Sequence, residues 1–71
     1  MEALLKEYDF ETESQYYEYI YESVVNGQRK QARSLFHEMP QDNRLEFVDW
    51  VYDNINRAEE FVFDIIKYVI I

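Results

Sequence analysis

The stretch that decides the fold is residues 28–39, which read QRKQARSLFHEM. Its apolar side chains recur at positions i, i+3, i+4 and i+7, namely at Ala32, Leu35, Phe36 and Met39. This spacing collects them on one side of an α-helix and leaves the charged residues on the other side. We therefore predict an amphipathic helix from Gln28 to Met39 with a single buried stripe.

Signals that end helices lie on both sides of this stretch. Asn26 and Gly27 precede it, and both residue types tolerate the left-handed conformation that terminates a helix. Pro40 follows it and cannot continue a helix. Because the 71 residues contain one glycine and one proline, the chain is expected to consist of helices joined by short turns.

The helical spacing extends to the rest of the chain. Thr12 and Gln15 have the spacing of a capping box, which predicts a helix from Thr12 to Val25. Asp42 is expected to cap the next helix, which runs to Ile55. The residues predicted to face the core in that helix are Leu45, Val48, Val51, Tyr52 and Ile55.

A second cap pair, Asn56 and Glu59, starts a last helix, and an apolar stripe within Met1–Tyr8 is compatible with about two turns of helix. The predicted fold is all-α. It is a compact bundle of four short helices with a short N-terminal helical lead-in, forming a single acidic domain over residues 1–71.

The charge of the chain narrows the classes of partner. Fifteen acidic against seven basic residues give a net charge of −8, which disfavours direct nucleic-acid binding and suits a basic protein partner. The aromatic content of 18% indicates a folded chain rather than a disordered acidic tail. With no long apolar run and no signal peptide, we expect a cytoplasmic protein that makes no membrane contact.

The sequence lacks patterns that support catalysis or metal binding. It contains no cysteine and one histidine, His37. His37 and Glu38 begin a zinc-protease motif, but position 41 is Gln instead of the second histidine. No glycine-rich loop is present to hold a phosphate, and no Ser or Thr has a plausible His–acid pair. We therefore expect a protein that is not an enzyme and has no cofactor or metal site.

Acidic and aromatic residues that fall off the core stripes are candidates for partner binding. At about 100° per residue, Trp50 falls opposite the predicted core side of its helix, and Tyr19 falls on the polar side of its own. The predicted partner-binding residues are Glu7, Asp9, Glu11, Glu13, Glu18, Tyr19 and Glu22, with a second patch formed by Glu46, Trp50 and Asp53. In the alternative interpretation the acids form a solvated face, and Trp50 packs under the N-terminal lead-in or in a dimer interface.

The last predicted helix carries a second apolar stripe, formed by Phe63, Ile66 and Ile70. Two stripes on one helix favour either self-association as a homodimer or a fully buried central helix. The only basic cluster is formed by Arg29, Lys30 and Arg33. It is expected to pair with surface acids, and DNA contact in a transcription-associated regulator is the less favoured alternative.

A set of residues within roughly positions 20–50 resembles small helical proteins of phages and other mobile elements. The set consists of Asn26-Gly27-Gln28, Gln31-Ala32-Arg33, Phe36, and Arg44 with Phe47-Val48. The resemblance implies roles such as inhibition of host DNA-binding defence enzymes, and it implies no catalytic or binding residues.

The leading hypothesis is a non-enzymatic protein–protein interaction module. Its acidic and aromatic surface is expected to bind a basic or nucleic-acid-binding protein, as a DNA-mimicking inhibitor of the anti-CRISPR or anti-restriction type would do. The alternative is a small structural homodimer or assembly subunit that uses its C-terminal helix as the interface.

Overall fold

The computed structural model describes residues 1–54 and 65–70, except for the side chain of Ile66. Its helices are α1 (Glu2–Glu7), α2 (Glu13–Val25), α3 (Arg29–Glu38) and α4 (Gln41–Asn54), followed by a π-helical C-terminal segment, Ile65–Ile70. The described residues contain no strand. The predicted all-α fold with a helical lead-in is therefore confirmed. None of the described helices has the length and apolar character needed to cross a membrane.

Local signals set the ends of α2 as predicted. The Thr12 side chain accepts a hydrogen bond from the Gln15 N–H at 3.3 Å, and the Gln15 side chain accepts one from the Thr12 N–H at 3.2 Å. This is the reciprocal capping box that satisfies two backbone donors at a helix start. The helix ends before Gly27, whose φ of 79° lies in the left-handed region that glycine adopts without strain.

The start of α4 differs from the prediction. The Pro40 carbonyl accepts hydrogen bonds from the N–H groups of Asn43 and Arg44, both at 3.1 Å, and the helix begins at Gln41. The predicted cap at Asp42 is wrong, because Asp42 lies inside the first turn. Its negative charge is still favourable there, since the N-terminus of a helix carries a partial positive charge.

The core lies where α2 packs on α3 and α4 and where α3 packs on the C-terminal segment. The four residues of the predicted stripe are all buried, three of them in α3 and Met39 directly after its end, which confirms the buried stripe predicted for residues 28–39. The Tyr16 hydroxyl of α2 donates to the Leu35 carbonyl at 2.7 Å. That carbonyl lies in the last turn of α3, where backbone acceptors lack partners within the helix, so Tyr16 satisfies one of them.

The side of α4 that faces the core differs from the predicted one. Val51 is buried as predicted and Phe47 is fully buried, whereas Leu45 and Tyr52, which were predicted to face the core, are exposed. Val48 is half-buried, and Ile55 lies outside the described residues. Phe47 contacts the rings of Tyr17 and Phe36, each at 5.7 Å between centroids. Apart from one acidic side, apolar residues are spread over the rest of the circumference of α4, so no single apolar stripe dominates its sequence. We attribute the orientation to these ring contacts, because aromatic rings bury a large apolar area and attract one another edge to face.

Trp50 lies on this core side of α4, and the prediction that it points away from the core is wrong. It is half-buried and packs against the core. Its ring lies 6.1 Å from that of Tyr17 and 6.2 Å from that of Phe47. These two ring contacts come from α2 and from α4 itself, and neither comes from the N-terminal lead-in.

The N-terminal segment covers the other side of α2. Tyr8 lies 5.8 Å from the Tyr16 ring, and Phe10 lies 5.6 Å from the Tyr19 ring. Tyr19 is therefore half-buried, and its predicted position among the polar residues of α2 is wrong. Its hydroxyl also accepts a hydrogen bond from the Gln31 amide at 3.0 Å. The aromatic residues of the lead-in decide this orientation, because they provide the apolar surface that Tyr19 needs.

Part of the last predicted helix, including the proposed caps Asn56 and Glu59, lies outside the described residues. In the C-terminal segment, Ile65 and Val69 are buried against the core. Ile70 is partly buried and packs against the same cluster.

Candidate acidic interaction surface

A hydrogen-bonded seam joins the acidic residues of α2 to those of α4. The Asn43 amide donates to the Glu13 carboxylate and, at 3.1 Å, to the Tyr17 hydroxyl. The Tyr17 hydroxyl in turn donates to Glu46 Oε1 at 3.1 Å. Glu13 and Glu46 were predicted as members of two separate patches, and the structure brings them to one seam.

The protonation of Tyr17 keeps this seam intact. Burial raises the pKa of the Tyr17 phenol to about 12, and the hydrogen bond to Glu46 contributes in the same direction, while the Asn43 hydrogen bond lowers it. A phenol with this pKa is neutral at physiological pH, so it keeps the proton that it donates to Glu46.

The outer side of α2 carries further carboxylates. Glu18 and Glu22 are exposed and lie one turn apart, and Glu11 is exposed just before the helix. Like charges at i and i+4 slightly destabilise a helix. Residues 7–28 contain no lysine or arginine that would offset this repulsion within the segment.

The outer side of α4 also carries carboxylates. Asp42, Glu46, Asp49 and Asp53 are all exposed and follow one another at i, i+4, i+7 and i+11. This spacing places the four carboxylates in one row along the helix. Sequence reasoning predicted Glu46 and Asp53 but missed Asp42 and Asp49, although the helical spacing of the acids would have identified them. We call the carboxylates of α2 and α4, joined by the seam, the acidic surface.

The remaining predicted partner-binding residues lie elsewhere. Glu7 and Asp9 are exposed, but they belong to the N-terminal segment that covers Tyr16 and Tyr19. Tyr19 and Trp50 pack against the core, so the predicted aromatic part of the surface is largely turned inward. The large apolar side chains exposed among the described residues are instead Val25, Leu45 and Tyr52.

Basic residues gather at a different place, where α3 meets the C-terminal segment. The Arg29 guanidinium lies 4.3 Å from the centroid of the Tyr68 ring, and the Lys67 ammonium lies 5.4 Å from it. Both distances are in the range of cation–π attraction. Lys30 and Arg33 are exposed on the same helix as Arg29.

The structure describes the side chain of only one of the three predicted self-association residues. Ile70 contacts the core of its own chain. Phe63 and the Ile66 side chain lie outside the described residues.

Among the described residues, no three of the histidine, aspartate and glutamate side chains form a group able to hold a metal ion. His37 is exposed in the last turn of α3, with its ring 5.3 Å from that of Phe36. A basic residue is favourable there, because the C-terminus of a helix carries a partial negative charge.

Comparison of the chain with protein-family models, with curated proteins and with solved structures found no match.

Proposed function

We propose that this protein is a non-enzymatic interaction module that binds a basic protein partner through the acidic surface. The observation that carries the proposal is the seam in which Asn43 and Tyr17 join Glu13 to Glu46. Through it one carboxylate of α2 and one carboxylate of α4 are held together at the junction of the two helices.

The physical case rests on charge complementarity. Carboxylates accept charge-assisted hydrogen bonds from arginine and lysine, and arginine binds them in a bidentate manner. A surface of one sign also steers an oppositely charged partner and raises its association rate. The basic side chains Arg29 and Lys67 are held at Tyr68, on α3 and the C-terminal segment, and the acidic surface is formed by α2 and α4.

The partner class that suits this surface best is a nucleic-acid-binding protein. In the α4 row, successive carboxylates are separated by about 6, 4.5 and 6 Å along the helix axis. A regular row of negative charges is the feature that such a protein recognises in a phosphate backbone. The proposal then becomes a DNA-mimicking inhibitor of a host defence protein, in keeping with the resemblance to phage proteins.

A structural homodimer is the second candidate. Its basis is the apolar sequence of the C-terminal region, with Phe63 and Ile66 as the residues to test, since Ile70 packs against its own core. Sedimentation equilibrium tests it: a dimer that Phe63→Asp converts to a monomer supports this candidate, and a monomeric wild type contradicts it.

The main experiment is affinity capture from a host lysate with identification of the captured proteins. Immobilised wild-type protein is compared with a Glu18→Lys/Glu22→Lys variant and an Asp49→Lys/Asp53→Lys variant, with and without excess duplex DNA. We expect a nucleic-acid-binding protein that duplex DNA displaces and that both charge-reversed variants retain poorly. Equal capture by the wild type and both variants would contradict the proposal.

A matched control separates local from overall charge effects. Glu2→Lys/Glu7→Lys makes the same change in net charge on the N-terminal segment, away from the seam. If this control loses binding as completely as the α2 and α4 variants, the partner responds to net charge and the acidic surface is not its site.

A further inference from the structure

Two large apolar side chains stand out on the outer side of α4. Leu45 is 62% exposed and Tyr52 is 77% exposed, although both belong to residue types that bury area readily. They lie seven residues apart, which is two helical turns, so they project from the same side of α4 at a separation of about 10 Å along the axis. Half-buried Val48 lies between them.

The acidic row lies directly beside this apolar pair. Asp49 is four residues after Leu45 and three before Tyr52, so it is a surface neighbour of both. Asp42 is three residues before Leu45 and is also exposed. The outer side of α4 therefore presents an apolar stripe bordered on one side by carboxylates, adjacent to the seam with α2.

The negative charge beside the stripe decides which kind of molecule can bind there. Two copies of the chain packed through α4 would bring two acidic rows together, and nucleic acid or an anionic membrane would meet the same repulsion. A protein helix with leucine-like residues two turns apart and arginine or lysine along one edge complements both the apolar stripe and the carboxylates beside it.

We propose that the outer side of α4 docks a basic amphipathic helix of the partner protein, with Leu45 and Tyr52 packed against its apolar residues. This inference rests on the proposed function and specifies which part of the acidic surface makes the apolar contact. One helix face is small compared with a stable interface, so the contact belongs to the weak, transient class.

Two synthetic peptides of equal length and charge test the inference. The first is a basic amphipathic helix with leucine along one face, and the second carries glutamine in place of each leucine. Each is labelled with a fluorophore, and its binding is measured by fluorescence anisotropy to the wild type and to Leu45→Ser/Tyr52→Ser. Val25→Ser is the matched control, because Val25 is an exposed apolar residue at the end of α2.

We expect the leucine peptide to bind the wild type and Val25→Ser equally and to bind Leu45→Ser/Tyr52→Ser at least about tenfold more weakly. The glutamine peptide should bind all three proteins with the same low affinity. Circular dichroism checks that the double variant keeps its helical content, which the exposure of both residues predicts.

Two other outcomes overturn the inference and can be told apart. If both peptides bind alike, or if the double variant binds as the wild type does, the contact is purely electrostatic. The docking inference then fails while the proposed function stands. If neither peptide binds even at low salt, the acidic surface does not recognise basic helices, and both the inference and the proposed function fail.

Discussion

The hydroxyl of Tyr17 donates to Glu46 Oε1 at 3.1 Å, so a residue buried in α2 holds a carboxylate on the exposed side of α4. The Tyr17 ring also contacts Phe47 and Trp50. One side chain thus contributes to the core through its ring and positions the acidic surface through its hydroxyl. The stability of the fold and the proposed binding surface are therefore linked at this residue, and removing the hydroxyl alone separates its two contributions.

Tyr17→Phe is expected to lower the free energy of unfolding by about 1–2 kcal/mol, because Asn43 loses a hydrogen-bond acceptor and Glu46 loses a donor while the ring contacts remain. Urea unfolding followed by circular dichroism measures this change. Tyr52→Phe is the control and should leave the stability unchanged, since Tyr52 is exposed. Equal stability of the two variants would show that the seam contributes nothing to the fold.

Tyr16→Phe is expected to destabilise the protein by about 1–3 kcal/mol, which for a domain of this size lowers Tm by several degrees. The Leu35 carbonyl would lose its buried partner at the end of α3. Thermal unfolding of the variant beside the wild type measures the effect. A Tm within about one degree of wild type would mean that this carbonyl finds another donor.

Phe10→Ala should loosen the N-terminal segment without unfolding the bundle. Phe10 contacts the rings of Tyr8, Tyr16 and Tyr19, and its truncation removes apolar contacts at a half-buried position, at a cost of about 1–3 kcal/mol. Amide hydrogen exchange should become faster in α1, and the exchange rates of the amides in α3 should change little. Uniformly faster exchange in all helices would instead indicate that the segment is required for the whole fold.

Stability is expected to fall at alkaline pH. Burial raises the pKa of Tyr8 to about 12, with a further contribution from its hydrogen bond to Glu38, and burial raises that of Tyr17 to about 12. Because an unfolded tyrosine titrates near 10, the unfolded chain loses these protons first. The stabilising contribution is therefore complete below pH 10 and is lost as pH rises from about 10 to about 12.

Urea unfolding at a series of pH values from neutral to alkaline, with tyrosinate absorbance as a second signal, measures this dependence. In a Tyr8→Phe/Tyr17→Phe variant the fall should be shallower, since two of the responsible groups are absent. An identical pH dependence in the variant and the wild type would assign the alkaline loss of stability to other groups.

Much of the fold could be predicted because it depends on local signals. The capping box of Thr12 and Gln15, the stop at Gly27 and the stripe of α3 act within one helix or turn, and all three are present as predicted. The orientation of α4 could not be predicted in this way. Apolar residues cover every side of that helix except the acidic one, so its own periodicity does not select a single buried side.

In the candidate site too, the features that depend on neighbouring residues could be predicted, and those that depend on distant residues could not. The acidic character of residues 7–22 and the spacing of Glu18 and Glu22 follow from the order of residues. Trp50 and Tyr19 were misplaced because their positions depend on rings contributed by distant residues, Tyr17 for the first and Phe10 for the second. The seam between Glu13 and Glu46 joins residues separated by more than thirty positions, and no short-range pattern encodes such a contact.

The sequence by itself determined that this chain is helical, acidic and divided by Gly27 and Pro40, because helix periodicity, capping and charge are properties of neighbouring residues. Only the tertiary structure decided which side of α4 is buried and which carboxylates meet. Aromatic rings from different helices pack in the same core, and the arrangement that buries Phe47 of α4 among them leaves Leu45 and Tyr52 exposed beside the acidic row.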